Sequence, residues 1–164
     1  MVMVLEDDVK FEPFFNQKLN ALLEEVVHLP MDWHLIYLGR KRLDENAEEG
    51  VSGTHLLVYA GYSYWTLGYL LSKSGARKLL EQRPLNNLLP VDEYLPIMYD
   101  KHPQDEWKAH FPNRDLVALS AEPLLLYPTR YLNEEGYISD TEDSPTVLTT
   151  PSQQGTTSTP SPEL

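Results

Sequence analysis

Three acids in a row, Glu6-Asp7-Asp8, stand directly after the apolar run Val2-Met3-Val4-Leu5. Carboxylates held side by side repel one another, and a strand gains nothing from crowding them at its end. A divalent cation would relieve that repulsion, and an all-oxygen ligand set suits magnesium, manganese or calcium. Open α/β sheets also take their ligands at the carboxyl ends of strands. The same residues could equally form an acidic turn before a helix, where the helix dipole favours negative charge.

A second pair of acids, Asp92-Glu93, lies between Pro90 and Pro96 in an otherwise apolar stretch. Two prolines stiffen the backbone around adjacent carboxylates, which suits a positioned general base. The competing reading is a helix start, with Asp92 as the cap and Glu93 in the first turn. Tyr62-Ser63-Tyr64-Trp65-Thr66 combines aromatic faces with hydroxyls, as sugar or peptide recognition requires, although such a stripe also makes ordinary core. Arg40-Lys41-Arg42 could pair with phosphate oxygens or form a solvated face. The five histidines show no pair at metal-ligand spacing on one evident element, and they are read as structural.

These residues need elements to hold them. Val2 to Leu5 reads as a central strand buried on both faces, so the chain is expected to start inside a domain whose flanking strands lie upstream. Pro13 suits a first helical turn, and a stripe from Phe11 through Val27 predicts a helix ending before Pro30. Trp33 to Leu38 predicts a strand closed by Gly39, followed by a polar surface loop from Arg40 to Thr54. Leu56 to Ala60 and Tyr62 to Leu71 are rich in aromatic and branched residues and predict strands, with Gly61 and Gly68 as bends. A helix from Lys73 to Gln82, capped by Ser72 or Ser74, should stop before Pro84. Asp92 to Tyr99 predicts a short helix, and Leu116 to Ser120 and Leu124 to Tyr127 predict short strands. Helices and strands alternate, so the expected class is α/β. From Ser144 onward Ser, Thr and Pro dominate with no apolar period, and a disordered tail over 144–164 is expected.

Composition narrows the function classes. A net charge of −12 over 164 residues leaves nothing to neutralise a run of phosphates and excludes nucleic acid as a partner. The absence of cysteine rules out a disulfide framework and thiolate metal sites. No stretch is long and apolar enough to span a bilayer, and no signal peptide is read at Met1 to Leu5.

In order, Leu5-Glu-Asp-Asp-Val9, Leu35-Ile-Tyr-Leu-Gly-Arg-Lys-Arg42, Tyr62-Ser-Tyr-Trp-Thr-Leu-Gly68, Gly75-Ala-Arg-Lys-Leu-Leu80 and Leu89-Pro-Val-Asp-Glu-Tyr-Leu-Pro96 resemble glycosyltransferase family 25. Ala121-Glu-Pro-Leu-Leu125 and Ser139-Asp-Thr-Glu142 extend the match, so that it covers nearly all of 2–143. Within the family the resemblance is to the procollagen galactosyltransferases and the related cerebral endothelial adhesion group. It implies a partial GT-A type (Rossmann-like) domain over 1–143, a UDP-galactose donor, and inverting transfer to hydroxylysine in collagen or procollagen. By the same resemblance manganese bridges the donor diphosphate, with Asp8 as the first ligand. Asp7 and Glu6 would then orient ribose, sugar or metal, and Arg40 the nucleotide. An inverting displacement needs one base, and Asp92 or Glu93 becomes its candidate.

The adhesion group implies an alternative, an inactive member that binds collagen or cell surfaces. The resemblance further implies the lumen of the endoplasmic reticulum and allows a homodimer in the full-length protein. The chain departs from the family pattern at Arg130, where members commonly carry histidine. It also ends in Ser161-Pro-Glu-Leu164 in place of an Arg-Asp-Glu-Leu retrieval signal.

Overall fold

The computed structural model describes residues 1–43 and 48–129. Arg130, Asp140 and the tail from Ser144, and with them the expected boundary at 143, lie outside the described residues. Within them, seven strands and four α-helices alternate along the chain, as the α/β class requires. The strands are β1 (Val2–Leu5), β2 (Val9–Phe11), β3 (Leu35–Arg42), β4 (Leu57–Tyr59), β5 (Ser63–Leu71), β6 (Ala118–Ala121) and β7 (Leu126–Pro128). The helices are α1 (Phe15–Val27), α2 (Lys73–Glu81), α3 (Val91–Met98) and α4 (Asp105–Lys108).

Five strands form one mixed sheet in the order β1-β5-β3-β6-β4. Only β3 and β6 run parallel; the other pairs are antiparallel. Along β3 the side chains alternate between two cores. Ile36 and Leu38 join Leu22 and Val26 of α1 on one face, whereas Leu35 and Tyr37 join Tyr94, Leu95, Ile97 and Met98 of α3 on the other. Period-two alternation in the strand thus meets a helix on each side. Ser72 caps α2, its hydroxyl accepting the Gly75 N–H at 3.0 Å.

Several expectations are corrected. Among the described residues β1 pairs with β5 alone and all four of its residues are exposed, so the flanking strand expected upstream is not among them. Pro13 lies ahead of α1, which begins at Phe15 after a left-handed Phe14. Gly39 does not close its strand. β3 continues to Arg42, so the start of the expected surface loop is strand, with register shifts against β5 on either side of Gly39.

Gly39 and Gly68 face each other across β3 and β5, and Leu126 of β7 presses onto the gap. A Cβ built at Gly39 would lie 2.6 Å from Leu126 Cβ and 2.7 Å from its carbonyl oxygen. The glycines are there for close approach. That contact brings β7 over the main sheet, and β7 pairs antiparallel with β2 in a two-stranded sheet. The acidic turn is the link from β1 in one sheet to β2 in the other.

Candidate active site

Glu6, Asp7 and Asp8 follow β1 immediately, with the turn itself at Asp7-Asp8. Two ladders pin this segment: the Glu6 N–H donates to Leu67 O at 3.0 Å, and the Thr129 N–H donates to Asp8 O at 2.6 Å. The Glu6 carboxylate faces β5 and accepts the Thr66 hydroxyl at 3.4 Å. Glu6 and Asp7 are exposed and Asp8 is half-buried. Among the described residues no group of three or more His, Asp or Glu side chains is placed to hold a metal ion. The turn's own donors are all carboxylate oxygens, the donor type that hard cations such as magnesium and manganese take.

Asp92 and Glu93 occupy the first turn of α3. The cap is Pro90, whose carbonyl accepts the Glu93 and Tyr94 N–H groups at 3.1 and 2.9 Å, so the capping role considered for Asp92 falls to Pro90. Pro96 has no N–H for the Asp92 carbonyl four residues back. The two acids sit in different surroundings. Asp92 is half-buried, and its carboxyl is pushed above the ordinary range by burial first and then by the Glu93 charge, with Glu6 adding to the rise. Glu93 is 2% exposed. Its Oε2 accepts from His102 Nε2 at 2.7 Å and from the Tyr62 hydroxyl at 3.5 Å. Burial, followed by the Glu93 charge, raises the Tyr62 phenol far above its usual value.

The hydrogen bonds decide the tautomer of His102. Its Nδ1 accepts the Gln104 backbone N–H at 3.0 Å and therefore carries no proton. Nε2 holds the ring proton and donates it to Glu93, so the pair is a neutral imidazole on an ionised carboxylate. Tyr62 stands edge-on to the His102 ring at 5.2 Å, and Trp107 packs on it at 5.1 Å. His102 is 1% exposed.

Of the acidic turn, Glu6 is the residue whose charge reaches the helix start. Glu6 acts on Asp92, and it also reinforces the burial that raises the phenol of Tyr69. Arg40 does not join them. It is 3% exposed, and its guanidinium donates to Ser120 Oγ at 2.8 Å, to Ser63 Oγ at 2.6 Å and to both carboxylate oxygens of Glu48. A phosphate finds no open approach to this group, so the nucleotide contact expected of Arg40 gives way to a structural role. Of the aromatic segment, Tyr64 is buried and Tyr62 reaches the acids.

His102 was the residue missed in the sequence. It lies nine positions beyond Glu93, past the end of α3, where no helical or strand spacing connects them. His34 fits the structural reading given to the histidines, its buried Nδ1 accepting the Val117 N–H at 2.8 Å.

An acidic turn thus leaves the mixed sheet at the carboxyl end of β1, and a second pair of acids, one buried and one half-buried, stands at the start of α3. The comparisons with known proteins assign the family. The model of glycosyltransferase family 25 (LPS biosynthesis protein) matches residues 1–95, from β1 into α3. The chain belongs to glycosyltransferase family 25.

It is 59% identical over 143 residues to a glycosyltransferase 25 family member of Aedes aegypti, covering 87% of this chain and 23% of that protein. It is 57% identical over 143 residues to procollagen galactosyltransferase 1 of Danio rerio, covering 87% and 24%. To a protein named probable inactive glycosyltransferase 25 family member 3, of Rattus norvegicus, it is 54% identical over 143 residues, covering 87% and 25%. The chain thus spans about a quarter of the length of these relatives. No solved structure matches it. Among the described residues no helix is long and apolar enough to cross a membrane.

Proposed function

We propose that this chain contributes the acidic side of a galactosyltransferase site that moves galactose from UDP-galactose to hydroxylysine in collagen, with inversion at the anomeric carbon. The observation that carries the reading is that both acidic features meet the segment 62–66, Glu6 through the Thr66 hydroxyl at 3.4 Å and Glu93 through the Tyr62 hydroxyl at 3.5 Å. The name of the zebrafish relative supports the sugar and the acceptor. Asp8 and Asp7 would hold manganese, with Glu6 beside them on the donor. A bound manganese ion would supply Lewis-acid stabilisation of the departing diphosphate. The chain's own part is to hold a carboxylate where it can take the proton of the attacking hydroxyl. A half-buried acid with a raised pKa is suited to that task, since a base works best when its pKa approaches the operating pH.

Asp92→Asn in the complete gene product tests the reading. Turnover should fall by about a hundredfold to ten-thousandfold, with UDP-galactose affinity nearly unchanged. Wild-type turnover in both Asp92→Asn and Glu93→Gln would reject the base assignment.

A second reading is a member that binds collagen or cell surfaces without turnover, favoured by the printed name of the rat relative. Absence of UDP release by the wild-type protein with manganese and collagen present, together with retained collagen binding, would select it.

A further inference from the structure

We infer that His102 is a positioning residue of the transfer site, its Nε2–H fixing the buried Glu93 carboxylate so that Asp92 alone meets the acceptor. This deepens the galactosyltransferase reading and rests on it.

The argument begins with access. Glu93 is 2% exposed and its carboxylate is occupied by His102 and Tyr62, whereas its neighbour Asp92 is half-buried. A base must reach the proton it removes, and only Asp92 retains that access. Glu93 must nevertheless serve a purpose, because a buried carboxylate is costly unless it is hydrogen-bonded.

His102 supplies the compensation in one fixed form. The Gln104 N–H occupies Nδ1, so the ring can only donate through Nε2. The donation is directional, and the rings of Tyr62 and Trp107 both pack on the imidazole, at 5.2 and 5.1 Å. Glu93 is thereby locked in orientation at the foot of α3. The helix backbone is already held by its own hydrogen bonds, so what the lock fixes is the Glu93 carboxylate, which stays turned to His102 and does not compete with Asp92 for the acceptor. Loss of that bond would leave the Glu93 carboxylate unanchored, free to swing toward water and into the space beside Asp92, displacing the hydroxyl that the base must meet. Misplacement of a reacting group by about 1 Å can cost on the order of a hundredfold in rate.

The test uses the complete gene product and two substitutions. His102→Phe keeps a ring against Tyr62 and Trp107 but removes the donor. His102→Gln places an amide N–H near the Nε2 position. His102→Phe should lower kcat by about tenfold to a hundredfold with KM for UDP-galactose within about twofold of wild type, a split that mere loosening of the fold would not give. His102→Gln should restore most of the lost kcat. ¹⁵N NMR of the wild-type imidazole should show a protonated Nε2 and an unprotonated Nδ1.

Unchanged kcat in His102→Phe overturns the inference while leaving the galactosyltransferase reading intact. So does a loss in His102→Gln equal to that in His102→Phe, or a proton on Nδ1. If His102→Phe does not fold, His102→Gln and the tautomer decide between the same outcomes. A wild-type protein that transfers no galactose removes the underlying reading, and this inference with it.

Discussion

Glu48→Gln should be among the most destabilising single changes available outside the apolar core. The Arg40 and Glu48 side chains are 0% and 6% exposed, and they form a two-pronged ion pair at the sheet. Glu48 also accepts the Gly61 N–H at 2.6 Å. Glutamine retains the shape but removes the charge and turns an amide N–H₂ toward the guanidinium. Removing one partner of a buried pair leaves an uncompensated charge, at a cost of about 3–5 kcal/mol. That is a large share of the ~5–15 kcal/mol that holds a typical domain folded.

The double variant Arg40→Met/Glu48→Leu should recover most of the loss, since neither charge then remains. Ser63 and Ser120 would keep carbonyl partners, Gly61 O at 2.9 Å and Ala121 O at 3.1 Å. The Gly61 N–H would lose its acceptor, so recovery should be incomplete. Urea unfolding followed by tryptophan fluorescence gives both values, provided that the slope is unchanged. A cost below about 1 kcal/mol for Glu48→Gln would place the pair in the class of solvated surface bridges. A double variant as unstable as the single one would refute the claim that Arg40's stranded charge is the liability.

The same pair sets an acid limit. Burial alone would raise the Glu48 carboxyl, but the Arg40 hydrogen bond and charge, the Gly61 N–H and Arg42 outweigh it and hold the carboxyl below its ordinary value of 4.5. A depressed carboxyl binds its proton less tightly in the folded state than in the unfolded one. Its stabilisation is therefore complete above 4.5 and is lost as pH falls through the lower folded value. Asp8→Ala should abolish manganese binding, and unchanged affinity by calorimetry would discard Asp8 as a ligand. Glu93→Gln should move the acid limb of the residual pH–rate profile to lower pH, because the charge that helps to raise Asp92 is gone; an unmoved limb would dissociate the two acids. Val4→Lys should reduce self-association measured by light scattering, since β1 is an edge strand carrying four exposed apolar residues and edge lysines oppose strand addition. Identical scattering would show that this edge is not sticky.

Where a single local rule decides an element, the sequence reading and the structure agree. Ser72 before a helical stripe became the cap of α2, and the proline-flanked apolar segment became α3. Neighbours in space are harder to read than neighbours in sequence. Val2 to Leu5 reads as a strand with partners on both sides and has one among the described residues, β5, because composition reports what a strand can bury and not which partners are at hand. Arg40-Lys41-Arg42 resembles a loop because strands seldom carry three cations. Arg40 can be buried there only because Glu48, eight residues on, returns to neutralise it, and that return leaves no periodic trace. Gly39 resembled a stop signal, although its missing side chain is the space that Leu126 fills.

The candidate site shows the same division. Both acidic clusters were visible as residues, since adjacent carboxylates are conspicuous, but their mutual relation was not. Glu6 acts on Asp92 because β1 delivers it to the face of the sheet that α3 covers, an arrangement set by the pairing of β1 with β5 and the packing of α3 on β3 and β5. The two members of Asp92-Glu93 were indistinguishable in sequence, each flanked by the same prolines. Burial separates them: one carboxylate is enclosed and bound by a neutral imidazole, and the other remains within reach of solvent. An enclosed charge beside an accessible acid is a means of raising the basicity of the accessible one without a second group competing for the proton. Under the proposed transfer, the pair would act as one base with a buried charge beside it, and His102 would hold that charge in place.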